Sequence, residues 1–307
     1  MTLSVVIGIV RNEYGELFIT RRHNTLHLGG LWEFAGGKVE HGEMLNTALS
    51  RELREEIGIE VVAVMPLITF YHNYADRRVR LHVFEITEFL GVPESKLGQG
   101  WFWVKPADLK NYIFPAANRA ILTALRLPPY YAILNDDNED LLAELNRLLA
   151  QDIKLIQARL KNTTEQQARD FLTVAYPLCQ EKGVVLLVNS GTAQAFEMPS
   201  DGVHLISSDL LALTHRPPDV HWLAASCHNL KELKHAEKIG VDFVVLSPVL
   251  ATQTHPEFES MGWAFFSKLV AECNIPVYAL GGLQKANLQT VKFAGGHGIS
   301  GIRTFLS

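Results

Sequence analysis

Three glutamates, Glu52, Glu55 and Glu56, are spaced so that an α-helix would carry all of them on one face. Neighbouring carboxylates repel one another, and a helix alone does little to offset that repulsion. A hard divalent cation does offset it, because Mg²⁺ binds carboxylate oxygens and retains water positions that a diphosphate can take. The spacing therefore predicts metal-assisted chemistry on a diphosphate, with a solvated acidic helix face as the alternative interpretation.

The residues around these glutamates suit the same chemistry. Gly36 and Gly37 allow the backbone to turn tightly, so that a carbonyl oxygen can approach a metal ion. Arg51 is placed to brace the carboxylates from behind. Apolar residues at helical spacing predict a helix over Leu45–Ile57 that buries its other face and ends at Gly58.

A second group of polar residues follows predicted strands in the C-terminal half. Gln157, Arg159 and Lys161 alternate along the end of one such strand. Arg and Lys side chains donate charge-assisted hydrogen bonds to phosphate, and a glycine such as Gly282 lets backbone N–H groups approach it. This pattern predicts a phosphate site, and a solvated strand end is again the alternative.

The elements that position the first group form a mixed α+β domain. A break at Pro128-Pro129 predicts two domains, over residues 1–128 and 129–307. The predicted strands before the break are Val5–Val10, Leu17–Thr20, Val61–His72, Val79–Phe89 and Trp101–Val104, and the predicted helices are Leu45–Ile57 and Ala116–Leu127.

After the break, predicted strands and helices alternate. The strands are Tyr131–Leu134, Ile153–Gln157, Val184–Val188, Gly202–Leu205, His221–Ala225, Phe243–Leu246, Pro276–Ala279 and Gly298–Ile302. The helices between them include Glu139–Ala150, Thr164–Gln180, Leu230–Ile239 and Gly262–Glu272. This order predicts an α/β (β/α)₈ TIM barrel that lacks a full final helix. We expect the N-terminal domain, or a second subunit in a homodimer, to cover that flank.

Charge and composition exclude several classes of partner. The 28 basic and 33 acidic residues give a net charge of −5, whereas proteins that bind nucleic-acid polymers usually carry a basic excess. Three widely separated cysteines predict buried apolar residues rather than disulfides or a zinc site. The N-terminal residues do not resemble a signal peptide, and no apolar run is long enough to span a bilayer. We therefore expect a soluble, cytoplasmic protein with no membrane partner.

The string from Gly37 to Ile59 matches the Nudix box at every position: Gly, five residues, Glu, seven residues, then Arg-Glu-aliphatic-x-Glu-Glu-x-Gly-aliphatic. The chain thus resembles the Nudix hydrolases. That resemblance implies a Nudix fold and cleavage of a nucleoside diphosphate linked to another moiety by metal-assisted attack of water. Residues 5–127 as a whole are similar to the MutT-type 8-oxo-dGTP diphosphatases, in Gly8–Asn12, Phe18–Arg22, Glu33–Lys38 and Phe114–Asn118.

This resemblance implies roles for individual residues, with Mg²⁺, or Mn²⁺ in its place, as the cofactor. The implied metal ligands are the Gly36 carbonyl, Glu52, Glu55 and Glu56. Glu52 or Glu56 would also orient the attacking water, and Glu43 and Arg51 complete the implied catalytic group. The implied nucleotide pocket consists of Arg22, Phe34, Asp76 and Asn118. An Asn amide can read a purine edge because it offers a donor beside an acceptor, and Phe34 offers a stacking face.

Two positions depart from the MutT-type pattern. Ala35 stands where a Pro usually precedes the Gly-Gly pair. Leu97 stands where these enzymes carry a later metal-binding Glu, and Glu94, three residues away, is the candidate substitute.

The C-terminal half resembles thiamine phosphate synthase and its tautomerase-like relatives, in the order and spacing of six strand ends. The residues implied to hold a pyrimidine diphosphate are Gln157, Arg159, Lys161 and Asn189. The resemblance further implies Mg²⁺ on Asp209 and contact of Ser226 with the diphosphate. The residues implied to hold a thiazole phosphate are Thr252, Thr254 and Gly282.

Several of the barrel's residues depart from the synthase pattern. Ser190 replaces a second metal-binding Asp, His255 replaces a Lys, and Arg303 replaces a Ser. Pro248 stands where the tautomerases have a functional His. Loss of a metal carboxylate and a phosphate-binding Lys weakens transition-state stabilisation, so we expect ligand binding with weak or absent synthase activity. His204 and His228 lie near strand ends without metal-ligand spacing and are interpreted as polar lining or core.

The sequence as a whole indicates a fusion. The N-terminal domain would hydrolyse an oxidised purine nucleoside triphosphate, such as 8-oxo-dGTP, to the monophosphate and diphosphate, and the barrel would bind a thiamine-related phosphate. One alternative is a thiamine-pathway enzyme, either a thiamine phosphate synthase or a hydrolase of a thiamine-related diphosphate. The other is a barrel that serves as a non-catalytic phosphate-binding module.

Overall fold

The computed structural model describes residues 2–25, 28–75, 77–137, 140–251 and 259–305. The chain divides into two compact units, Met1–Arg126 and Leu127–Ser307. Two small sheets and their helices build the first unit, and a closed barrel builds the second.

The N-terminal unit has the predicted α+β architecture. Its elements are β1 (Thr2–Val10), β2 (Leu17–Arg21), β3 (Trp32–Glu33), β4 (Gly36–Lys38), α1 (Leu45–Ile57), β5 (Glu60–Asn73), β6 (Arg78–Leu90), β7 (Trp101–Val104) and α2 (Arg119–Arg126). One sheet has the strand order β4-β1-β6-β5, and the other has the order β3-β2-β7. The predicted second helix begins at Arg119 rather than Ala116, because Ala116–Asn118 forms a 3₁₀ turn.

Helix α1 has the predicted bounds. Its apolar face is fully buried through Ala48, Leu49, Leu53 and Ile57. Gly58 then adopts a left-handed conformation with φ of 73°, and its N–H donates to the Arg54 carbonyl at 3.2 Å. A glycine is favoured there because residues with a Cβ are strained at positive φ. The buried face fixes the helix, so the glutamates on its other side are held toward β4.

The C-terminal unit is the predicted barrel of parallel strands. The strands are β8 (Tyr130–Asn135), β9 (Leu155–Arg159), β10 (Val185–Asn189), β11 (Gly202–Leu205), β12 (Trp222–Cys227), β13 (Phe243–Leu246), β14 (Val277–Ala279) and β15 (Gly298–Gly301). The helices are α3 (Leu141–Ala150), α4 (Glu165–Glu181), α5 (Ser207–Ala212), α6 (Leu230–Ile239), α7 (Gly262–Ala271) and α8 (Leu288–Phe293). Each strand pairs with the next, and β15 closes onto β8.

The strand that carries Arg159 is shifted from its predicted position, and the predicted lack of a full final helix is confirmed. The predicted strand Ile153–Gln157 lies two residues further along, at Leu155–Arg159, so Arg159 belongs to the strand itself. After β15 the chain forms a 3₁₀ turn, Arg303–Phe305, in place of a helix. The Phe305 ring is fully buried and lies 5.6 Å from the Tyr130 ring, so this turn itself contributes to covering the flank.

The remaining composition-based expectations concern cysteines and membrane spans. Cys179, Cys227 and Cys273 are buried free thiols, as predicted. In the part of the chain that the structure describes, no helix combines the length and apolar character needed to cross a bilayer.

Candidate active sites

The Gly36–Gly37 backbone forms one wall of the N-terminal site. Strand β4 pairs with β1 so closely that a Cβ on Gly36 would lie 2.1 Å from the Val6 carbonyl oxygen. A Cβ on Gly37 would lie 2.3 Å from the carboxylate carbon of Glu52. The Gly36 N–H donates to Glu56 Oε2 at 2.9 Å. Two carboxylates of α1 therefore lie directly against a glycine backbone.

Arg51 holds the outer side of this site. Its Nε and Nη2 donate to the two Glu43 carboxylate oxygens at 3.0 and 2.9 Å, and its Nη1 donates to Glu52 Oε1 at 2.8 Å. Nη2 also reaches the Lys38 carbonyl at 3.0 Å. These hydrogen bonds to carboxylates raise the pKa of Arg51, which stays fully charged. Arg51 thereby fixes Glu52 and ties α1 to the loop that carries Glu43.

The acidity of Glu56 is strongly perturbed. Burial raises its pKa from 4.5 to about 7, and the negative charges of Glu33 and Glu52 add to the rise. The Gly36 N–H opposes the shift. Glu33 forms an ion pair with Arg22, and burial raises the pKa of Glu33 as well. The carboxylates of this site thus carry more negative charge than Arg22 and Arg51 neutralise.

The donor set fits a divalent cation. Carboxylate oxygens suit a hard cation, and the mutual repulsion between Glu52 and Glu56 is what such an ion would relieve. Glu55 points outward, with a side chain 61% exposed and 3.7 Å from Arg51 Nη1. Within the described residues, no three His, Cys, Asp or Glu side chains are grouped to hold a metal ion. Glu55 therefore has to turn inward for all three glutamates to act together.

The residues predicted to line a nucleotide pocket have different surroundings. Asn118 is buried in the 3₁₀ turn before α2. Phe34 is 4% exposed and its ring stacks on Phe114 at 5.3 Å, so it belongs to the core of this unit. Arg22 is paired with Glu33 as described above. Asp76 lies outside the described residues.

The loop after β6 carries the candidate replacement for the missing late glutamate. Leu97 is exposed, and the Glu94 carboxylate forms an ion pair with Lys96. The backbone of this loop is tied to the end of α1, since Lys96 N–H donates to the Glu56 carbonyl at 2.8 Å. Glu94 is thus near the right helix, but it is engaged by a lysine.

Gly37→Ala tests the wall of the site. The added methyl group would displace the Glu52 carboxylate, a flexible side-chain end, so we expect kcat/KM for nucleotide hydrolysis to fall about 100-fold. The free energy of unfolding should change by less than about 1 kcal/mol. Gly100→Ala is the matched control, because a Cβ there meets nothing within 4 Å. Equal activity in the two variants would contradict this placement of Glu52.

The second site lies at the carboxyl ends of the barrel strands. Side chains alternate along each strand between the interior and the helix layer. The interior near the other end is an apolar cluster that includes Tyr131, Leu187, Trp222, Phe243 and Tyr278. Toward the carboxyl ends the inward residues are polar, which is the end where barrels of this kind carry their chemistry. These polar residues include Asn135, Gln157, Arg159, Asn189, His204 and Ser226.

The structure brings several predicted ligand residues together here. Asn189 Nδ2 donates to Gln157 Oε1 at 2.8 Å, and Arg159 Nη1 donates to Asn135 Oδ1 at 2.7 Å. Partial burial and the positive charge of Arg159 lower the pKa of Lys161, and the negative charge of Asp209 acts in the opposite direction. Gly282 has a φ of 66°, and a Cβ there would lie 2.4 Å from the Ala251 carbonyl. The predicted residues Thr252 and Thr254, and the departure His255, lie outside the described residues.

Sequence reasoning missed two functional candidates. The sequence places Glu33 only in a string shared with the MutT-type enzymes, yet its carboxylate pairs with Arg22 and its negative charge raises the pKa of Glu56. The sequence assigns Tyr131 only to a strand, yet its hydroxyl joins Gln157 to His204. The signal that the sequence offered for Tyr131 was a polar hydroxyl on an otherwise apolar strand. His204 is fully buried, and burial lowers its pKa to about 3, as befits core lining, whereas His228 is exposed and pairs with Glu232.

Comparison with known proteins identifies both units. Residues 130–305 match the thiamine monophosphate synthase family, and residues 6–124 match the NUDIX domain family. The chain is 36% identical to an 8-oxo-dGTP diphosphatase of Escherichia coli, over 40% of this chain and 96% of that protein. It is 30% identical to a putative thiamine-phosphate synthase 2 of Aquifex aeolicus, over 59% of this chain and all of that protein.

A solved structure also matches the first unit. It comes from a study of MutT from Aliivibrio salmonicida and Vibrio cholerae, with 40% identity, a TM-score of 0.37, and coverage of 41% of this chain and 97% of that one. The family matches and the two relatives show that the chain belongs to the Nudix hydrolases through its N-terminal unit and to the thiamine monophosphate synthase family through its barrel.

Proposed function

We propose that the Nudix unit hydrolyses an oxidised purine nucleoside triphosphate, such as 8-oxo-dGTP, to the monophosphate and diphosphate. The observation that carries this proposal is the pair of carboxylates, Glu52 and Glu56, held against the Gly36–Gly37 backbone. The substrate class is suggested by the 8-oxo-dGTP diphosphatases among the relatives. Nucleoside triphosphates are metabolites of the cytoplasm, and we therefore propose that the protein acts there.

The catalytic roles follow from which atoms are already engaged. Nudix hydrolases use a divalent metal, and we assign Mg²⁺, with Mn²⁺ as the alternative, to the Gly36 carbonyl, Glu52, Glu55 and Glu56. When bound, the ion neutralises phosphate charge and makes water more acidic. Gly36 N–H fixes Glu56 Oε2, so Oε1 is the atom we assign to orienting the attacking water. Glu52 is the other candidate for that role.

Arg51 and Glu43 act as positioning residues in this scheme. The two-pronged contact between them sets the direction of the arginine, and the arginine in turn orients Glu52. We assign Asn118 to the edge of the oxidised base, and Arg22 and Asp76 to the rest of the nucleotide pocket. Phe34 leaves that set, because its ring packs on Phe114 in the core. An amide reads a purine edge with one donor and one acceptor at once.

A substrate comparison tests the proposal. The purified full chain would be assayed with Mg²⁺ on 8-oxo-dGTP, dGTP and thiamine diphosphate, with kcat/KM measured for each. We expect a preference for 8-oxo-dGTP over dGTP of at least about 100-fold, since reading a buried hydrogen bond discriminates strongly. Glu52→Gln controls for contaminating phosphatases. Preference for thiamine diphosphate would favour the thiamine-pathway alternative instead.

For the barrel, over residues 129–307, we propose binding of a thiamine-related phosphate with weak or absent synthase turnover. The observation behind it is that Arg159 and Lys161 stand at the mouth while Ser190 occupies the place of a metal-binding Asp. Thiamine phosphate that binds without synthase turnover supports this proposal. Synthase turnover at a rate typical of enzymes, about 1 per second or more, would instead make the barrel a synthase.

A further inference from the structure

The Asp209 carboxylate at the barrel mouth is already engaged by the protein. Asp209 lies in the first turn of α5, and Ser190 Oγ donates to its Oδ2 at 2.5 Å. The Ile206 N–H donates to the same Ser190 oxygen at 2.9 Å. A serine hydroxyl has one proton, and here that proton is committed to Asp209. The Ser190 hydroxyl therefore occupies one oxygen of the carboxylate to which the resemblance assigns Mg²⁺.

Two further carboxylates in the described part of the loop after β8, those of Asp136 and Asp137, are engaged too. Asp136 accepts hydrogen bonds from the Asn162 backbone N–H at 2.5 Å and from its side chain at 3.1 Å. Asp137 accepts one from Asn135 Nδ2 at 2.5 Å. Mg²⁺ is strongly hydrated and is held in proteins through one or two carboxylates that face it together with substrate phosphates. Ser190 stands in place of the second carboxylate, and its hydroxyl already occupies Oδ2 of the first, Asp209. The described residues here therefore do not fit that ion.

A chain of hydrogen bonds through the barrel interior orients Ser226. The Gly191 N–H donates to Asn189 Oδ1 at 3.0 Å, so the Asn189 amide must turn its Nδ2 toward Gln157 Oε1. Gln157 Nε2 then donates to the Tyr131 hydroxyl at 3.1 Å. A backbone N–H, which can only donate, therefore sets the direction of the whole chain.

The same direction continues to the end of the chain. The Tyr131 hydroxyl accepts from Gln157, so it donates its proton to His204 Nδ1 at 3.0 Å. His204 consequently carries its proton on Nε2 and donates it to Ser226 Oγ at 2.9 Å. The hydroxyl proton of Ser226 is not used in this chain. Ser226 therefore presents a donor, and a donor suits an anion such as phosphate rather than a cation.

We propose that the barrel binds the diphosphate of its ligand directly, through Lys161, Arg159 and the Ser226 hydroxyl, without a divalent cation. The inference rests on the barrel function proposed above and adds to it the way the anion is neutralised. Two cationic side chains and an oriented hydroxyl supply donors, and Ser190, unlike the Asp that it replaces, adds no second negative charge beside Asp209.

Calorimetric titration of inorganic diphosphate into the full chain, with EDTA or with excess Mg²⁺, tests the proposal. For the natural sequence we expect dissociation constants that agree within about twofold between the two conditions, once both are expressed for diphosphate that is not bound to Mg²⁺ in solution. Ser190→Asp adds a carboxylate beside the phosphate, so binding in EDTA should weaken by about tenfold or more and recover with Mg²⁺. Ser190→Ala removes the hydroxyl without adding charge and should stay independent of Mg²⁺. Lys161→Ala should weaken binding in both conditions, which places the ligand in the barrel.

The outcomes of the titration distinguish failure of this inference from failure of the barrel function on which it rests. Binding by the natural chain that needs Mg²⁺, with a loss of about tenfold or more in EDTA, overturns the inference and leaves the barrel as a phosphate-binding unit. No binding of thiamine phosphate or of inorganic diphosphate in either condition overturns both.

Discussion

Replacing Glu56 by Gln is expected to lower kcat/KM for nucleotide hydrolysis by about 1000-fold or more. The amide keeps the size of the side chain, but it removes the negative charge that a metal ion and an attacking water both need. The Gly36 N–H can still donate to the amide oxygen, so the backbone of the site stays in place. Steady-state kinetics with Mg²⁺ on 8-oxo-dGTP measure the loss, and Glu88→Gln, on the exposed face of β6, is the control.

The same variant should be more stable than the natural chain when metal is absent and the pH is high. Burial raises the pKa of Glu56 from 4.5 to about 7, so the folded chain holds a proton that the unfolded chain releases between those values. The stability associated with that proton is present below about pH 4.5 and is lost as the pH rises through about 7. Glu56→Gln cannot ionise and escapes the loss.

Thermal unfolding in EDTA at several pH values checks this sign. The Tm of Glu56→Gln minus that of the natural chain should be near zero at about pH 5 and positive by several degrees at about pH 8. Added Mg²⁺ should raise the Tm of the natural chain more than that of the variant, because only the natural chain keeps all of the metal carboxylates. A variant that lost activity together with stability at every pH would point to misfolding.

Both ends of helix α1, which carries these glutamates, could be predicted from the sequence at the correct residue. Leu45, Leu49, Leu53 and Ile57 define the buried face, and Gly58 ends the helix because it alone accepts the left-handed turn without strain. Both signals are local in the chain. The raised pKa of Glu56 was not predictable in this way, since its burial, and the added effect of Glu33 on β3, arise only after the sheets have formed.

The barrel shows the same division between local and tertiary information. Its strands could be counted from alternating apolar runs and turns, but α5 and α8 span only six residues each and are too short to show helical periodicity. The contact between Ser190 and Asp209 joins residues 19 positions apart, and the contact between Tyr131 and His204 joins residues 73 apart. Both contacts form only when the barrel folds. The partners in each contact could therefore not be predicted from the sequence.

Asn118→Ala is expected to lower kcat/KM for 8-oxo-dGTP by about 100-fold while changing that for dGTP by less than about threefold. Asn118 is buried in the 3₁₀ turn before α2, so loss of its amide leaves a buried base edge without partners. Asn111→Ala, at an exposed position, is the matched control. Thiamine diphosphate, if it is turned over at all, should be hydrolysed equally well by the natural chain and the Asn118→Ala variant.

The ratio of the two nucleotide activities is the decisive quantity in that experiment. A variant that merely disturbs the turn before α2 would lose activity on 8-oxo-dGTP and dGTP alike, since the phosphates of both meet the same carboxylates. A selective loss locates base recognition at Asn118, because only the interaction with the oxidised base has been removed. An unchanged ratio would show that Asn118 does not read the base, and the choice between an oxidised purine and another diphosphate would then rest on the substrate comparison alone.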